Sequence, residues 1–187
     1  MILPIRTSFI LSISLLAQIS WGAEVYFSPS RDCETQIVKA IDATKLEIVA
    51  AVYSINNNRI VDSFKRAKAR GVKIRILTDR TQAAGHSSKV VELSKLGFDI
   101  RVHSKNKIEH NKFGVFDSSL AVNGSYNWTN PASDSNSENC VVFTEKNIIS
   151  AYQKRFGELW QINTDMKSKQ YLGKIQKSVE RRAASDE

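Results

Sequence analysis

Apolar residues along the chain fall into short continuous runs separated by sets spaced three and four apart. Residues 46–53, LEIVAAVY, form a nearly unbroken apolar run, the pattern of a strand buried on both faces. A shorter strand is expected at Glu24–Ser28, followed by a helix opened by Asp32 with Ile37, Val38, Ala40 and Ile41 on one face. Residues 58–70 place Ile60, Val61, Phe64 and Ala67 at helical spacing, and Gly71 supplies the stop. Lys73–Asp79 then reads as a strand, and Ser87 or Ser88 caps a helix with Val90, Val91, Leu93 and Leu96. Gly97 ends that helix before a strand at residues 98–102. Three strand–helix units in succession predict a mainly parallel sheet with right-handed crossovers.

The rhythm then changes. Lys112–Phe116 and residues 120–123 read as strands joined by a tight turn at Asp117, Ser118 and Ser119, with another strand at residues 139–144. A helix over residues 147–162 carries Ile148, Ile149, Tyr152, Phe156, Leu159 and Trp160 as a core-covering stripe. The expected class is α/β, a mixed, mainly parallel β-sheet sandwiched between helices. From Thr164 onward the chain is polar and reads as frayed helix or disorder. The expected division is a leader at residues 1–23, one domain at 24–163 and a polar, basic tail at 164–187.

The leader carries one Arg at position 6, no acidic residue, an apolar core from Phe9 to Ala17, and small residues at Gly22 and Ala23. This is a secretory signal layout, with cleavage expected after Gly22 or Ala23 and a periplasmic or secreted product not stably held on a membrane. The alternative is a retained anchor, for which the uncharged stretch of residues 7–23 is short and interrupted by serines and a glutamine. Export gives the cysteine count a meaning. Cys33 and Cys140 are the only two, an oxidising compartment allows them to pair, and their spacing is not that of a metal site.

With 42% hydrophobic and 25% charged residues in 187 positions, the chain is neither disordered nor fibrous, and its length fits one catalytic domain. Lys and Arg total 27 against 19 Asp and Glu, a formal charge of +8 that favours an anionic partner, nucleic acid or an acidic lipid surface.

The chemistry concentrates between His110 and Asn139. His110 and Lys112 are two residues apart, so an extended strand points both to one face, and Asp117 completes an H-x-K-x-x-x-x-D pattern. Gly124-Ser125-Tyr126-Asn127 follows, with Ser125 and Asn127 again on one face, and Glu138 precedes the next strand. Tyr126 and Trp128, at the opposite parity, are expected in the core.

These motifs resemble the signature of the phospholipase D superfamily, an H-x-K-x-x-x-x-D element followed by G-S-x-N. Within it the chain is similar to the small bacterial exported endonucleases that carry one copy of the motif. The resemblance implies a phospholipase D-like fold, phosphodiester hydrolysis without a metal or other cofactor, and a homodimer that brings two motifs together at its two-fold interface. It also implies a DNA substrate, with RNA and single strands open.

The residue types suit such a reaction. A neutral His110 attacks phosphorus, and a second imidazole, supplied by two-fold pairing, protonates the leaving oxygen and then activates water. Lys112 and Asn127 hold the non-bridging oxygens, Ser125 adds a hydrogen bond or supports the lysine, and Glu138 is the candidate acceptor for the other ring N–H of the histidine. Asp117 sits at a turn, where an aspartate bonds backbone N–H groups, and this structural role is favoured over direct chemistry. Lys105, Lys107 and His103 are candidates for a basic groove, with His86 solvated and a three-histidine zinc site rejected for want of ligand spacing. Nothing resembles base-edge readout, so little sequence specificity is expected. The alternatives are a phosphodiesterase acting on phospholipid headgroups and a non-catalytic DNA-binding relative.

Overall fold

The computed structural model describes residues 22–103 and 108–184. Residues 1–21 of the expected leader, and Lys105 and Lys107, lie outside these residues.

Seven strands form one sheet: β1 (Glu24–Ser28), β2 (Glu47–Val52), β3 (Lys73–Asp79), β4 (Asp99–His103), β5 (Lys112–Phe116), β6 (Leu120–Gly124) and β7 (Glu138–Phe143). The helices are α1 (Asp32–Ala43), α2 (Asn58–Ala69), α3 (Arg80–Ala83), α4 (Val90–Lys95), α5 (Asn130–Asp134), α6 (Lys146–Ile162) and α7 (Asp165–Ala183). The run at residues 46–53 forms β2, and Ile48, Val49, Ala50, Ala51 and Val52 are all buried. Its alternate side chains feed two cores. Ile48, Ala50 and Val52 pack with Ile37 and Ile41 of α1 and with Ile60 and Phe64 of α2. Val49 and Ala51 pack with Ile149, Phe156, Leu159 and Trp160 of α6.

The strand order is β1-β7-β6-β5-β2-β3-β4, and the sheet is mainly antiparallel, which corrects the expected parallel majority. Only β2–β3 and β3–β4 pair in parallel; β2–β5, β5–β6, β6–β7 and β7–β1 are antiparallel. The reason is local at one end and global at the other. Asp117 and Ser118 take left-handed φ of 48° and 55°, which suits a tight hairpin between β5 and β6. β1, the apparent start of the parallel series, crosses to the far edge and pairs with β7.

The polar segment after Thr164 is also different from its expected frayed or disordered form. It is α7, which lies against β4 and buries Ser168, Leu172 and Ile175. Its apolar positions are sparse because it covers a sheet edge with one narrow stripe and leaves its lysines in solvent. Arg31, with φ 59°, precedes α1, and Asp32 is its first residue rather than its cap.

Two ties hold the α1 face. Cys33 and Cys140 are joined in a disulfide between α1 and β7. Beside it Glu34, 0% exposed, accepts hydrogen bonds from Asn57, Ser133 and Arg59, and Ser133 also bonds the hydroxyl of Tyr126 at 2.5 Å. Burial pushes the Glu34 carboxyl up, but these donors outweigh it and hold the group below the usual carboxylate range.

Because the disulfide spans 107 residues, replacing both cysteines with serine is expected to lower stability by about 2–5 kcal/mol, read as a shifted urea midpoint under non-reducing conditions.

Candidate active site

The hairpin β5–β6 and the strand β7 bring the motif together. His110 and Lys112 arrive at the start of β5, Ser125 and Asn127 follow the end of β6, and Glu138 opens β7. All five, with Gly124, line one open groove of about 390 Å³. Of the three histidines in the sequence, His110 alone lines it: His103 is buried and His86 lines a separate polar cavity.

Gly124 makes the arrangement possible. It lies opposite Cys140, and a Cβ there would stand 2.2 Å from the carbonyl oxygen of Asn139. That carbonyl accepts hydrogen bonds from the backbone N–H groups of both Ser125 and Tyr126, at 3.1 and 3.2 Å. Tyr126 and Trp128 are each 1% exposed and face the core, so the alternate residues Ser125 and Asn127 face the groove. The glycine of the signature is thus a requirement of close strand approach.

Lys112 is 7% exposed. Its ammonium donates to the carbonyl oxygen of His110 at 2.7 Å and lies 5.0 Å from the centre of the Tyr53 ring. Burial pulls it below the ordinary lysine range, opposed by the carboxylates of Glu138 and Glu109. The His110 ring is exposed and meets the edge of the same Tyr53 ring, centroids 4.6 Å apart at 63°. Tyr53, at the end of the β2 run, thus stands against both His110 and Lys112.

Ser125 and Glu138 form a unit. The serine hydroxyl donates to Glu138 Oε2 at 2.5 Å and accepts from the backbone N–H of Asn139 at 3.1 Å. Asn136 donates to Glu138 Oε1 at 3.2 Å. Within the chain the Glu138 carboxylate therefore serves Ser125 and Asn136, not the His110 ring for which it was the candidate acceptor. Asn127 keeps a buried Oδ1 without a hydrogen-bond partner among the described residues.

Two sequence candidates stand elsewhere. Asp117 lies at the far end of β5, where it accepts from the backbone N–H groups of Lys45, Leu46 and Glu47 at 2.8, 2.8 and 2.9 Å. It fixes the entry to β2, the structural role its turn position favoured. His103, expected at the groove, is 1% exposed, with Nδ1 3.6 Å from Glu109 Oε2 and 3.4 Å from Asn163 Nδ2. Its burial keeps it from a polyanionic substrate. No cluster of three metal-ligating side chains is present among the described residues.

Comparison with known proteins identifies relatives of this chain. The family described as "Cardiolipin synthase, PLD-like domain" matches residues 37–160. The mitochondrial cardiolipin hydrolase of Drosophila melanogaster is 30% identical over 146 residues, covering 67% of this chain and 58% of that protein. The phospholipase D of Rickettsia conorii is 31% identical over 126 residues, covering 67% and 63%. The matched region thus spans less than two thirds of these curated relatives. Among solved structures, the phospholipase D family member Nuc from Salmonella typhimurium superposes with a TM-score of 0.72 at 26% identity, over 76% of this chain and 96% of that one.

Burial pushes the Asp117 carboxyl up, but its three backbone donors outweigh this and hold it below the ordinary aspartate value of 3.8. Its stabilisation is therefore complete above that value and is lost as pH falls through the lower folded pKa. Asp117→Ala is expected to cost about 1–3 kcal/mol at neutral pH, a deficit that shrinks in acid, while turnover per folded molecule stays within about threefold of wild type. Denaturant melts at pH 7 and in acid, with parallel rate measurements, check both parts.

Proposed function

From membership of the phospholipase D-like family, to which the chain belongs, we propose that it hydrolyses phosphodiesters through a covalent phosphohistidine on His110. The observation that carries this reading is the convergence of His110, Lys112, Ser125, Asn127 and Glu138 on one groove from three different strands or their ends. A binding module needs cations but not an exposed imidazole beside a buried ammonium.

In the first step a neutral imidazole nitrogen of His110 forms a bond to phosphorus as the bond to the leaving oxygen breaks, and that oxygen takes a proton from a second imidazolium. In the second step the now neutral second imidazole removes a proton from water, whose oxygen attacks phosphorus and releases His110. The products are an alcohol and a phosphomonoester. Lys112 and the Asn127 amide offset charge on the non-bridging oxygens in both transition states. These groups perform the chemistry without calling on a metal ion.

The groove of one chain holds one histidine, so the reading includes a homodimer in which a second copy supplies the other. Glu138 then serves as the acceptor that orients that second imidazole, a role its position at the groove leaves it open to fill.

For the substrate, the names of the curated relatives favour a phospholipid headgroup diester such as cardiolipin. Nucleic acid is the second reading, favoured by the net charge of +8 and by an open, polar groove that admits a long polyanion. Both leave the two-step reaction unchanged.

Cardiolipin vesicles and supercoiled plasmid, each incubated with the protein in excess EDTA, separate the readings. Headgroup release without nicking favours the lipid, and nicking without release favours nucleic acid. His110→Ala is expected to lower either activity at least about a thousandfold. Failure of the wild-type protein on both substrates, with or without divalent ions, overturns the proposal. Sedimentation as a fully active monomer overturns the dimer.

A further inference from the structure

Two buried carboxylates beside the groove take no part in the steps above. Asp79, 1% exposed, ends β3, and Glu109, 2% exposed, immediately precedes His110. Asp79 Oδ1 accepts from the backbone N–H groups of Thr81 and Gln82 at 2.8 and 3.0 Å, while Oδ2 reaches across to the N–H of Glu109 at 3.1 Å. Glu109 turns its own carboxylate to the other side of His110. Its Oε1 accepts from the backbone N–H of Asn111 at 3.2 Å and from Asn111 Nδ2 at 2.5 Å. Oε2 lies 3.6 Å from Nδ1 of buried His103.

The residues flanking His110 are therefore each tied to a buried acid, one through Asp79 and the other through Glu109. The tie continues outward: the carbonyl of Asn111 accepts from the N–H of Tyr53 at 2.8 Å, and the Tyr53 ring braces the imidazole. The side chain of His110 is exposed, and no hydrogen bond to its ring is found among the described residues. Its placement comes from the backbone beneath it and from the Tyr53 edge. Burying a carboxylate is costly, so two of them on the neighbours of one exposed histidine call for a return. An attacking nitrogen misplaced by about 1 Å loses about two orders of magnitude in rate, and a clamped backbone prevents that loss.

We propose that Glu109 is a positioning residue, acting through Asn111 to hold the His110 imidazole in line with the phosphorus. The inference rests on the reading of His110 as nucleophile. A glutamine at position 109 retains an oxygen able to accept both Asn111 donors; an alanine retains none.

Steady-state kinetics on bis(p-nitrophenyl) phosphate, whose two identical esters demand neither lipid nor nucleic acid, test the clamp directly. Glu109→Ala, verified as folded by circular dichroism and thermal melting, is expected to lose about 10- to 100-fold in kcat with KM within about threefold, and Glu109→Gln to recover to within about threefold of wild type. If Glu109→Ala does not fold, Asn111→Ala removes the Nδ2 donor alone and is expected to lower kcat in the same sense. Wild-type kcat in the folded alanine variant, a change confined to KM, or equal loss in the glutamine and alanine variants overturns the clamp. His110→Ala is run alongside: if it keeps wild-type turnover, the nucleophile reading fails, independently of what Glu109 does.

Discussion

The site depends on how closely β6 and β7 approach at Gly124. There the carbonyl of Asn139 occupies space that any Cβ would need, and it captures two successive N–H groups as the chain leaves the sheet. This close contact fixes which residues face the groove. Tyr126, turned inward, is secured by its hydroxyl on Ser133 and thus to the buried Glu34 cluster. Ser125 and Asn127 are turned outward by the same alternation. Glu138, at the start of the facing strand, meets Ser125 because the register of β6 on β7 leaves no other offset.

Four acidic side chains near these strands show how partners decide what a carboxylate does. Asp117 and Glu34 accept from several donors, and their charge is spent on holding backbone and helices in place. Glu109 is similarly consumed by Asn111. Glu138 is different because it sits in the groove, bonded by a serine and an asparagine that leave it accessible. Lys112, whose ammonium faces Glu138 and the Tyr53 ring from a mostly buried position, is a preorganised cation with little solvent to displace when an anion enters.

Both halves of the sheet contribute to this one location. The parallel half, β2–β3–β4, supplies Tyr53 and Asp79 at strand ends, where α/β sheets commonly present their chemistry. The antiparallel half supplies the motif residues. The seam is β2–β5, where Val52 pairs with Lys112, so that the end of one half lies beside the strand that carries His110 into the groove of the other. α7 packs against β4, the opposite edge strand, where the Ser168 hydroxyl accepts from the backbone N–H of Val102 at 3.2 Å.

Much of this was legible in the residues themselves. The runs of apolar residues located every strand to within a residue or two, most sharply at β2, which is buried on both faces and has few polar positions to spare. Period-two alternation placed His110 with Lys112 and Ser125 with Asn127, since that alternation is a property of the extended chain and needs no partner. The turn position of Asp117 likewise pointed to backbone donors, although not to which ones. The residues did not reveal that the sheet is mainly antiparallel, that β1 crosses to pair with β7, that α7 packs, or that His103 is buried beside Glu109. Nor did they single out Glu109. Each of these depends on contacts between segments tens of residues apart, whose energies arise only when the chain is folded, whereas periodicity and turn chemistry are written into neighbouring residues.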